Sequence, residues 1–295
     1  MTGGVRAVPS SFLYTPALSL ERVMKAQSYD ADMHLIDLED SVPPADKPAA
    51  RAVCRAALEK SVRPMNVGVR VNELGSLAAV HDVQMLADSP VKPGLVLMTM
   101  VTSGHEVELL RKMLASADAH PEIYVTVETV EAVARIDSVA RAADGLVLGS
   151  ADLAATLGVD INWENMLAAR QAMAMSCARF GTACVDTANY RLAEPDVLAE
   201  ETSRVRALGF HGKVTVHPSE LATINRILRP RADELDQARR VAAAVAAANG
   251  GIAVLDGHMV GPPFARRARD TIARGDAWTS RFGSVADTAG NGGEA

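Results

Sequence analysis

Cysteines, aromatic residues and long apolar runs are scarce in this 295-residue chain, and each scarcity excludes a class of protein. The three cysteines form no Cys-x-x-Cys pair and cannot all pair with one another, which disfavours structural zinc and favours reduced thiols in a cytoplasm. With 4% aromatic residues and a net charge of −6, the chain lacks the basic, base-stacking surface of nucleic-acid-binding proteins. Apolar runs such as 241–248 are far shorter than the ~20 residues that cross a bilayer. We therefore expect neither a nucleic-acid partner nor a membrane-bound protein.

Short apolar or β-branched runs alternate with longer amphipathic segments, and 48% hydrophobic residues suffice for a large core. The pattern predicts strands at 11–14, 33–38, 66–71, 94–98, 123–127, 145–148, 182–185 and 213–216, each followed by a helix. Eight such βα units are typical of a closed TIM (β/α)8 barrel. A doubly wound open sheet is the alternative, but no Gly-x-Gly-x-x-Gly follows the first strand, which disfavours a dinucleotide-binding version.

The eightfold pattern ends near Leu228, and the rest of the chain predicts a separate element. We predict a barrel domain at 1–228, a C-terminal helical lid or arm at 229–283 and a disordered tail at 284–295. The arm begins with an alanine-rich helix at about 232–249, terminated by two glycines, and contains a basic helix with Arg266, Arg267 and Arg269.

Acidic side chains follow several predicted strands. They are Asp37, Glu39 and Asp40 after the second strand, Glu128 after the fifth, Asp152 after the sixth and Asp186 after the seventh. Because TIM-barrel active sites lie at the carboxyl ends of the strands, these carboxylates are expected at one mouth, where they repel unless a cation neutralises them. Glu128 and Asp152 are a sufficient protein contribution to an Mg²⁺ site, with Mn²⁺ as a substitute. The alternative for Asp152 is to cap the following helix.

One basic residue lies inside a predicted strand. Alternation along the third strand places Arg70 and Gly68 on one face and two valines on the other. If the face of Arg70 lines the barrel, its buried guanidinium requires an anion. A substrate carboxylate and a structural ion pair with Asp37 or Glu39 both meet that requirement.

Short motifs recur in a fixed order along most of the chain. They are Leu13-Tyr14-Thr15-Pro16, Asp37-Leu38-Glu39-Asp40-Ser41-Val42, Val69-Arg70-Val71-Asn72, Val127-Glu128-Thr129, Gly149-Ser150-Ala151-Asp152, Val185-Asp186-Thr187 and Val216-His217-Pro218-Ser219. With these motifs in this order, the chain resembles the citrate lyase β-subunit-like branch of the HpcH/HpaI aldolase and citrate lyase family, which includes malyl- and citramalyl-CoA lyases.

The resemblance implies a TIM barrel that binds Mg²⁺ and cleaves or forms a carbon–carbon bond between a 2-oxo acid and a CoA-thioester enolate. Glu128 and Asp152 match the family's metal ligands, and Arg70 matches its substrate arginine. The implied catalytic residues are Arg70, Asp37, Glu39 and Asp40, and the implied substrate-binding residues are Arg70, Glu128, Asp186 and His217. The three acids would hold metal-bound waters or take a proton through one, and the alternative for His217 is a core histidine.

For the CoA half of the substrate, the resemblance points to Pro16, Lys47 and Arg51. The alternative for Lys47 and Arg51 is a pair of solvated charges at a helix start. A homo-oligomer, a trimer or a hexamer, is also implied, with the C-terminal arm crossing to a neighbour.

Three positions depart from the family pattern. Gly261 stands where these lyases carry an aspartate for proton transfer, Thr99 stands where they carry a lysine, and Ala151 replaces a glutamate before Asp152. Three functions therefore stay open: a carbon–carbon lyase or condensing enzyme with altered proton transfer, a CoA thioester hydrolase or an aldolase on a free oxo acid, and a non-catalytic relative that binds these ligands.

Overall fold

The computed structural model describes residues 6–192 and 194–283, so the predicted disordered tail at 284–295 lies outside the described residues. In the described chain, eight parallel strands close into a barrel in sequence order, with β1 paired to β8. The strands are β1 (Ser11–Pro16), β2 (Met33–Asp37), β3 (Val67–Arg70), β4 (Leu95–Met98), β5 (Glu122–Val127), β6 (Gly145–Leu148), β7 (Ala183–Asp186) and β8 (Gly212–Thr215). The predicted TIM barrel is confirmed, and the open sheet is excluded.

One or two helices follow each strand of the barrel. They are α1 (Leu20–Ala26), α2 (Lys47–Lys60), α3 (Leu77–Asp88), α4 (Gly104–Ala115), α5 (Val130–Ala134), α6 (Ile136–Ala142), α7 (Ser150–Leu157), α8 (Trp163–Phe180), α9 (Pro195–Ala207) and α10 (Leu221–Leu228). Local chemistry fixes where several begin: the side chains of Ser19, Ser76 and Thr129 each accept a hydrogen bond from a backbone N–H in the first turn.

Side chains alternate between the two faces of each barrel strand. The outward-facing ones, such as Ile36, Val69, Val96 and Val125, share one apolar core with helical residues such as Leu58, Val83 and Leu110. The inward-facing ones fill the barrel so closely that a Cβ at Gly68 would come within 2.6 Å of the Leu35 side chain. Two residues further on, the same inward face carries Asp37 and Arg70, which are paired in register. The alternation thus places both groups at the barrel mouth.

The second compact unit contains the described residues 6–9 and 228–283. Its helices are α11 (Ala232–Ala247) and α12 (Pro262–Phe282), which pack closely where Leu235 meets Gly275. Between them, β9 (Ala253–Leu255) and β10 (His258–Val260) form an antiparallel hairpin, an element that the prediction of a helical arm lacked. Residues 6–9 join this unit, where the Arg281 side chain donates to the Ala7 carbonyl.

Within the described residues, no helix combines the length and the apolar character that a membrane span requires.

Candidate active site at the barrel mouth

Two acids and one arginine form an ion cluster at the carboxyl ends of β2 and β3. Arg70 donates from Nε and Nη2 to the two carboxylate oxygens of Asp37, over 2.7 and 2.5 Å, and its Nη1 lies 2.7 Å from Glu39 Oε2. The Tyr14 ring, from β1, lies 5.0 Å from the guanidinium carbon, a cation–π contact. We call Asp37, Glu39 and Arg70 the mouth cluster. The predicted alternative of an ion pair is therefore what the structure contains.

The two acids of the mouth cluster differ in their affinity for protons. Burial alone would raise the pKa of Asp37, but the bonds from Arg70 and Ser41 hold it below its ordinary value. Burial raises the pKa of Glu39 to about 7, although the charge of Arg70 acts in the opposite direction. Glu39 is therefore the acid of this cluster suited to exchange a proton near neutral pH, whereas exposed Asp40 lies at its rim.

Glu128 follows β5 and is 4% exposed. Its Oε1 accepts a hydrogen bond of 2.7 Å from the Met100 backbone N–H, and its Oε2 lies 2.6 Å from where a Cβ at Gly149 would be. Burial, the largest cause, acts with the carboxylates of Asp152 and Glu39 to raise the pKa of Glu128 to about 8, although the Met100 hydrogen bond and the charge of Arg70 act in the opposite direction. Glu128 therefore lies within electrostatic reach of both acidic groups.

Asp152 lies in the first turn of α7, and its side chain is exposed. The N-cap of α7 is Gly149, without a side-chain hydrogen bond, so the alternative that Asp152 caps the helix is wrong.

The carboxylates of Glu128 and Asp152 fit a hard divalent cation. They supply oxygen ligands, and a cation would offset the repulsion that raises the pKa of Glu128. Among the described residues, no group of three or more His, Cys, Asp or Glu side chains could hold a metal. A site built from two carboxylates suits Mg²⁺, which retains several waters and takes its remaining ligands from substrate.

Asp186 does not reach this site, which corrects its prediction as a substrate-binding residue. It is the last residue of β7, fully buried, and accepts hydrogen bonds from Arg170 Nε of α8 at 2.8 Å and from Lys213 Nζ of β8 at 2.7 Å. Burial opposes ionisation, but the charges of Lys213 and Arg170 hold the pKa of Asp186 below its ordinary value. We call Arg170, Asp186 and Lys213 the sealed cluster.

His217 follows β8 and is exposed, so the alternative of a core histidine is wrong. Its Nδ1 lies 2.7 Å from Ser219 Oγ and caps the 3₁₀ turn Pro218–Glu220. The ring is accessible at the mouth, and the structure gives it a local capping role.

The residues predicted for CoA lie on the β1 and β2 side of the mouth. Pro16 ends β1 and is half-buried. Lys47 Nζ donates to the carbonyls of Leu38 and Glu39, and Arg51 bonds Asp82 at 3.0 Å. Both basic side chains are half-buried, so the alternative of solvated charges is wrong. Lys47 is thus held by the loop after β2, and Arg51 by α3.

Two contacts of the site were missed from the sequence, those of Tyr14 and of the Met100 backbone. Tyr14 is part of a motif that pointed to the site, and its alternation with buried neighbours was the available signal. The Met100 N–H carries no signal in the residue type, because any residue other than proline supplies it.

Comparisons with known proteins identify the family of this chain. Residues 10–218 match the HpcH/HpaI aldolase/citrate lyase family, and this range contains all eight strands of the barrel. The chain belongs to this family. A relative of this family, the citrate lyase subunit beta-like protein of Mycobacterium tuberculosis, is 29% identical over 94% of this chain and 99% of its own. A (3S)-malyl-CoA thioesterase of Cereibacter sphaeroides is 30% identical over 90% of this chain and 94% of its own.

A solved member of the family has a similar structure. It is the protein CitE of Mycobacterium tuberculosis in complex with magnesium, acetoacetate and coenzyme A. The two chains are 28% identical with a TM-score of 0.75, over 92% of this chain and 99% of CitE. The family thus contains citrate lyase β-like proteins and at least one named thioesterase.

Proposed function

We propose that the protein is an Mg²⁺-dependent carbon–carbon lyase that cleaves or forms the bond between a 2-oxo acid and the enolate of an acyl-CoA. One observation carries the proposal: the acids Glu128 and Asp152 lie at the same barrel mouth as the mouth cluster. Membership of the HpcH/HpaI family and the magnesium, acetoacetate and CoA bound to CitE support it.

In this proposal Glu128 and Asp152 hold the metal. When bound, Mg²⁺ would polarise the oxo or hydroxyl oxygen of the acid half of the substrate. Arg70 has a planar, permanently charged fork that suits a substrate carboxylate, and Asp37 orients that fork through two hydrogen bonds. Pro16, Lys47 and Arg51 are proposed to lie along the CoA moiety, and His217 to border the acid half.

Glu39 is proposed to move the proton, with Asp40 at the solvent edge. In cleavage, the 3-hydroxyl group of the acyl-CoA loses its proton to Glu39 and the bond between C2 and C3 breaks. The electron pair of that bond passes to the thioester as an enolate, which takes a proton at C2 to become the shorter acyl-CoA. Glu39 can supply that proton again, because burial raises its pKa to about 7.

A CoA thioester hydrolase is the second candidate, and two observations favour it. Gly261 replaces the aspartate that the family resemblance assigns to enolate protonation, and a relative that is 30% identical is named a (3S)-malyl-CoA thioesterase. Hydrolysis needs no enolate, so the missing aspartate would not impair it.

One assay separates the two candidates. Malyl-, citramalyl- and citryl-CoA are each incubated with the protein and Mg²⁺, and the products are identified by mass spectrometry with a thiol reagent in parallel. A lyase releases a shorter acyl-CoA and a 2-oxo acid, and no free CoA thiol. A hydrolase releases free CoA and the intact hydroxy acid. The condensing direction is assayed with oxo acids and acetyl-, propionyl- or malonyl-CoA.

The metal role is tested with Glu128→Gln, for which exposed Glu131→Gln is the matched control. We expect Glu128→Gln to lower turnover by at least about a hundredfold and to weaken Mg²⁺ binding, as chelation does in the unmodified protein. Equal turnover and equal Mg²⁺ affinity in both variants would exclude the proposed metal site. Binding of an oxo acid or CoA ester without turnover would favour the non-catalytic relative.

We also propose a cytoplasmic homo-oligomer, a trimer or a hexamer, which light scattering coupled to size-exclusion chromatography would distinguish from a monomer.

A further inference from the structure

Met100, directly after β4, has a backbone conformation that residues other than glycine rarely adopt. Its φ is +53°, in the left-handed region, where the Cβ of an L-residue crowds the following carbonyl oxygen. The side chain is 37% exposed, so burial of the thioether does not account for this conformation. Strain of this kind persists only where the surrounding contacts fix it.

Two buried threonines fix the turn on either side of Met100. Thr99, 2% exposed, donates from Oγ1 to the Val71 carbonyl at 3.1 Å and so ties the turn to the end of β3. Thr129 donates from Oγ1 to the Val101 carbonyl at 2.7 Å and so ties it to the end of β5. The turn is therefore held to both neighbouring strands of the barrel.

The turn held in this way presents one hydrogen-bond donor. Its Met100 N–H donates to Glu128 Oε1 over 2.7 Å. On the other side, Oε2 of the same carboxylate lies only 2.6 Å from where a Cβ at Gly149 would be, so this oxygen fits only beside glycine. One oxygen is thus held by a backbone donor, and the other occupies space that a larger residue would fill.

We propose that Met100 is a positioning residue, which through its backbone N–H orients Glu128 for the metal, and that Thr99 maintains the turn that makes this possible. The inference rests on the proposed metal site at Glu128. It also gives a role to the Thr99 departure: a buried hydroxyl braces the loop at the position where the resemblance expected a lysine.

The test measures the Kd of Mn²⁺ by electron paramagnetic resonance. Thr99→Val removes the hydroxyl while keeping the side-chain shape, and we expect it to raise the Kd about tenfold. The matched control is Thr182→Val, because Thr182 is also buried and donates from Oγ1 to a carbonyl, that of Ala140, at 2.7 Å. The control should lose thermal stability without a change in Kd, and Thr99→Ser should restore tight binding.

A second variant addresses the N–H itself. Replacing Met100 by its α-hydroxy acid analogue exchanges the amide for an ester, which removes the donor and keeps the side chain; we expect a similar rise in the Kd of Mn²⁺. Met100→Gly should raise the melting temperature of the metal-free protein, because glycine adopts a positive φ without the steric cost.

The outcomes separate this inference from the function on which it rests. If the unmodified protein binds Mn²⁺ and the Thr99→Val and ester variants bind it equally well, the positioning role is overturned and the metal site stands. If the unmodified protein does not bind Mn²⁺, both fail. A rise in Kd for Thr99→Val that Thr182→Val shares would show a general loss of stability and overturn the inference.

Discussion

Two ion clusters lie at the ends of barrel strands, and they differ in solvent access and in charge balance. The mouth cluster joins two carboxylates to one arginine, and the side chains of Arg70 and Glu39 remain 15% and 14% exposed. The sealed cluster joins one carboxylate to two cationic groups, and the side chains of Arg170, Asp186 and Lys213 are at most 3% exposed. A cluster with more carboxylates than cations and with access to solvent suits ligand and metal binding. A fully buried cluster with more cations than carboxylates suits a structural role alone.

The position of each cluster follows from strand parity. Asp37 ends β2 on the face that lines the barrel, whereas Asp186 ends β7 on the same face as Cys184, which packs in the core shared with the helices. The same residue type, at the same end of a barrel strand, is therefore a candidate site residue in one place and a structural residue in the other.

The largest effect that would test this comparison is on stability. Asp186→Asn leaves Arg170 and Lys213 buried with no full counter-charge, and we expect the free energy of unfolding to fall by about 4 kcal/mol. The control is Asp37→Asn in the mouth cluster, where Glu39 remains beside Arg70 and solvent has access, so the loss should be smaller. Urea unfolding of both variants provides the measurement. An equal loss would contradict the distinction between the two clusters.

The next test concerns activity rather than stability. Arg70→Lys keeps the charge but loses the planar fork that contacts Asp37 and Glu39, and we expect kcat/KM to fall about a hundredfold, about 2.7 kcal/mol, with a smaller change in unfolding free energy. Arg111→Lys, at an ion pair with Asp144, is the control and should leave kcat/KM unchanged. A variant as active as the control would remove Arg70 from the proposed substrate site.

The sequence predicted the barrel because β-branched runs and turns repeat locally, and strand ends followed to within about two residues. The miss at β7 was one of parity rather than of strand length. Asp186 was predicted at the mouth because it lies at the end of a strand, as Asp37 does, whereas in the structure it shares the outward face of β7 with Cys184. Its partner Arg170 was missed because the pairing depends on the rotation of α8 against the sheet, which no local pattern encodes. A lysine inside a strand, Lys213, was an available signal of a buried ion pair.

The acids of the mouth could be predicted because they lie at or shortly after strand ends, but the contacts that orient them could not. The orientation of Glu128 depends on the Met100 N–H and on the missing Cβ of Gly149, which follow the strands on either side of β5. These are properties of the assembled backbone. The sequence could therefore name the reactive groups but not the contacts that orient them.

A smaller effect extends the comparison to a single buried histidine. His34, on β2, has a buried Nδ1 with no hydrogen-bond partner, and burial lowers its pKa to about 4, although the charge of Asp30 opposes this. The unfolded chain takes up a proton near pH 6.5, so stability is full above that pH and falls as the pH drops, by about 2.5 kcal/mol at pH 4.5. His34→Gln should remove this part of the pH dependence in urea unfolding measured from pH 7.5 to 4.5. His105→Gln, at an exposed histidine, is the control for loss of an imidazole. The same slope in His34→Gln and the unmodified protein would show that another group causes the acid sensitivity.

The smallest effect comes from adding an acid rather than removing one. Gly261 precedes α12 with an extended backbone, and a Cβ there would meet only Ile252 Cγ1, at 3.6 Å, so larger residues fit. Aspartate and asparagine both cap helices, so Gly261→Asp and Gly261→Asn should each gain about 0.3 kcal/mol of stability.

Only the aspartate can carry a proton. If the protein is a lyase limited by protonation of the enolate, Gly261→Asp should raise turnover about tenfold, about 1.4 kcal/mol, and Gly261→Asn should not. Equal turnover in the two variants would have one of two meanings. Either the protein's own acids, Glu39 first among them, already supply the proton, or the reaction forms no enolate. Release of free CoA would indicate the second, because only the hydrolase releases it.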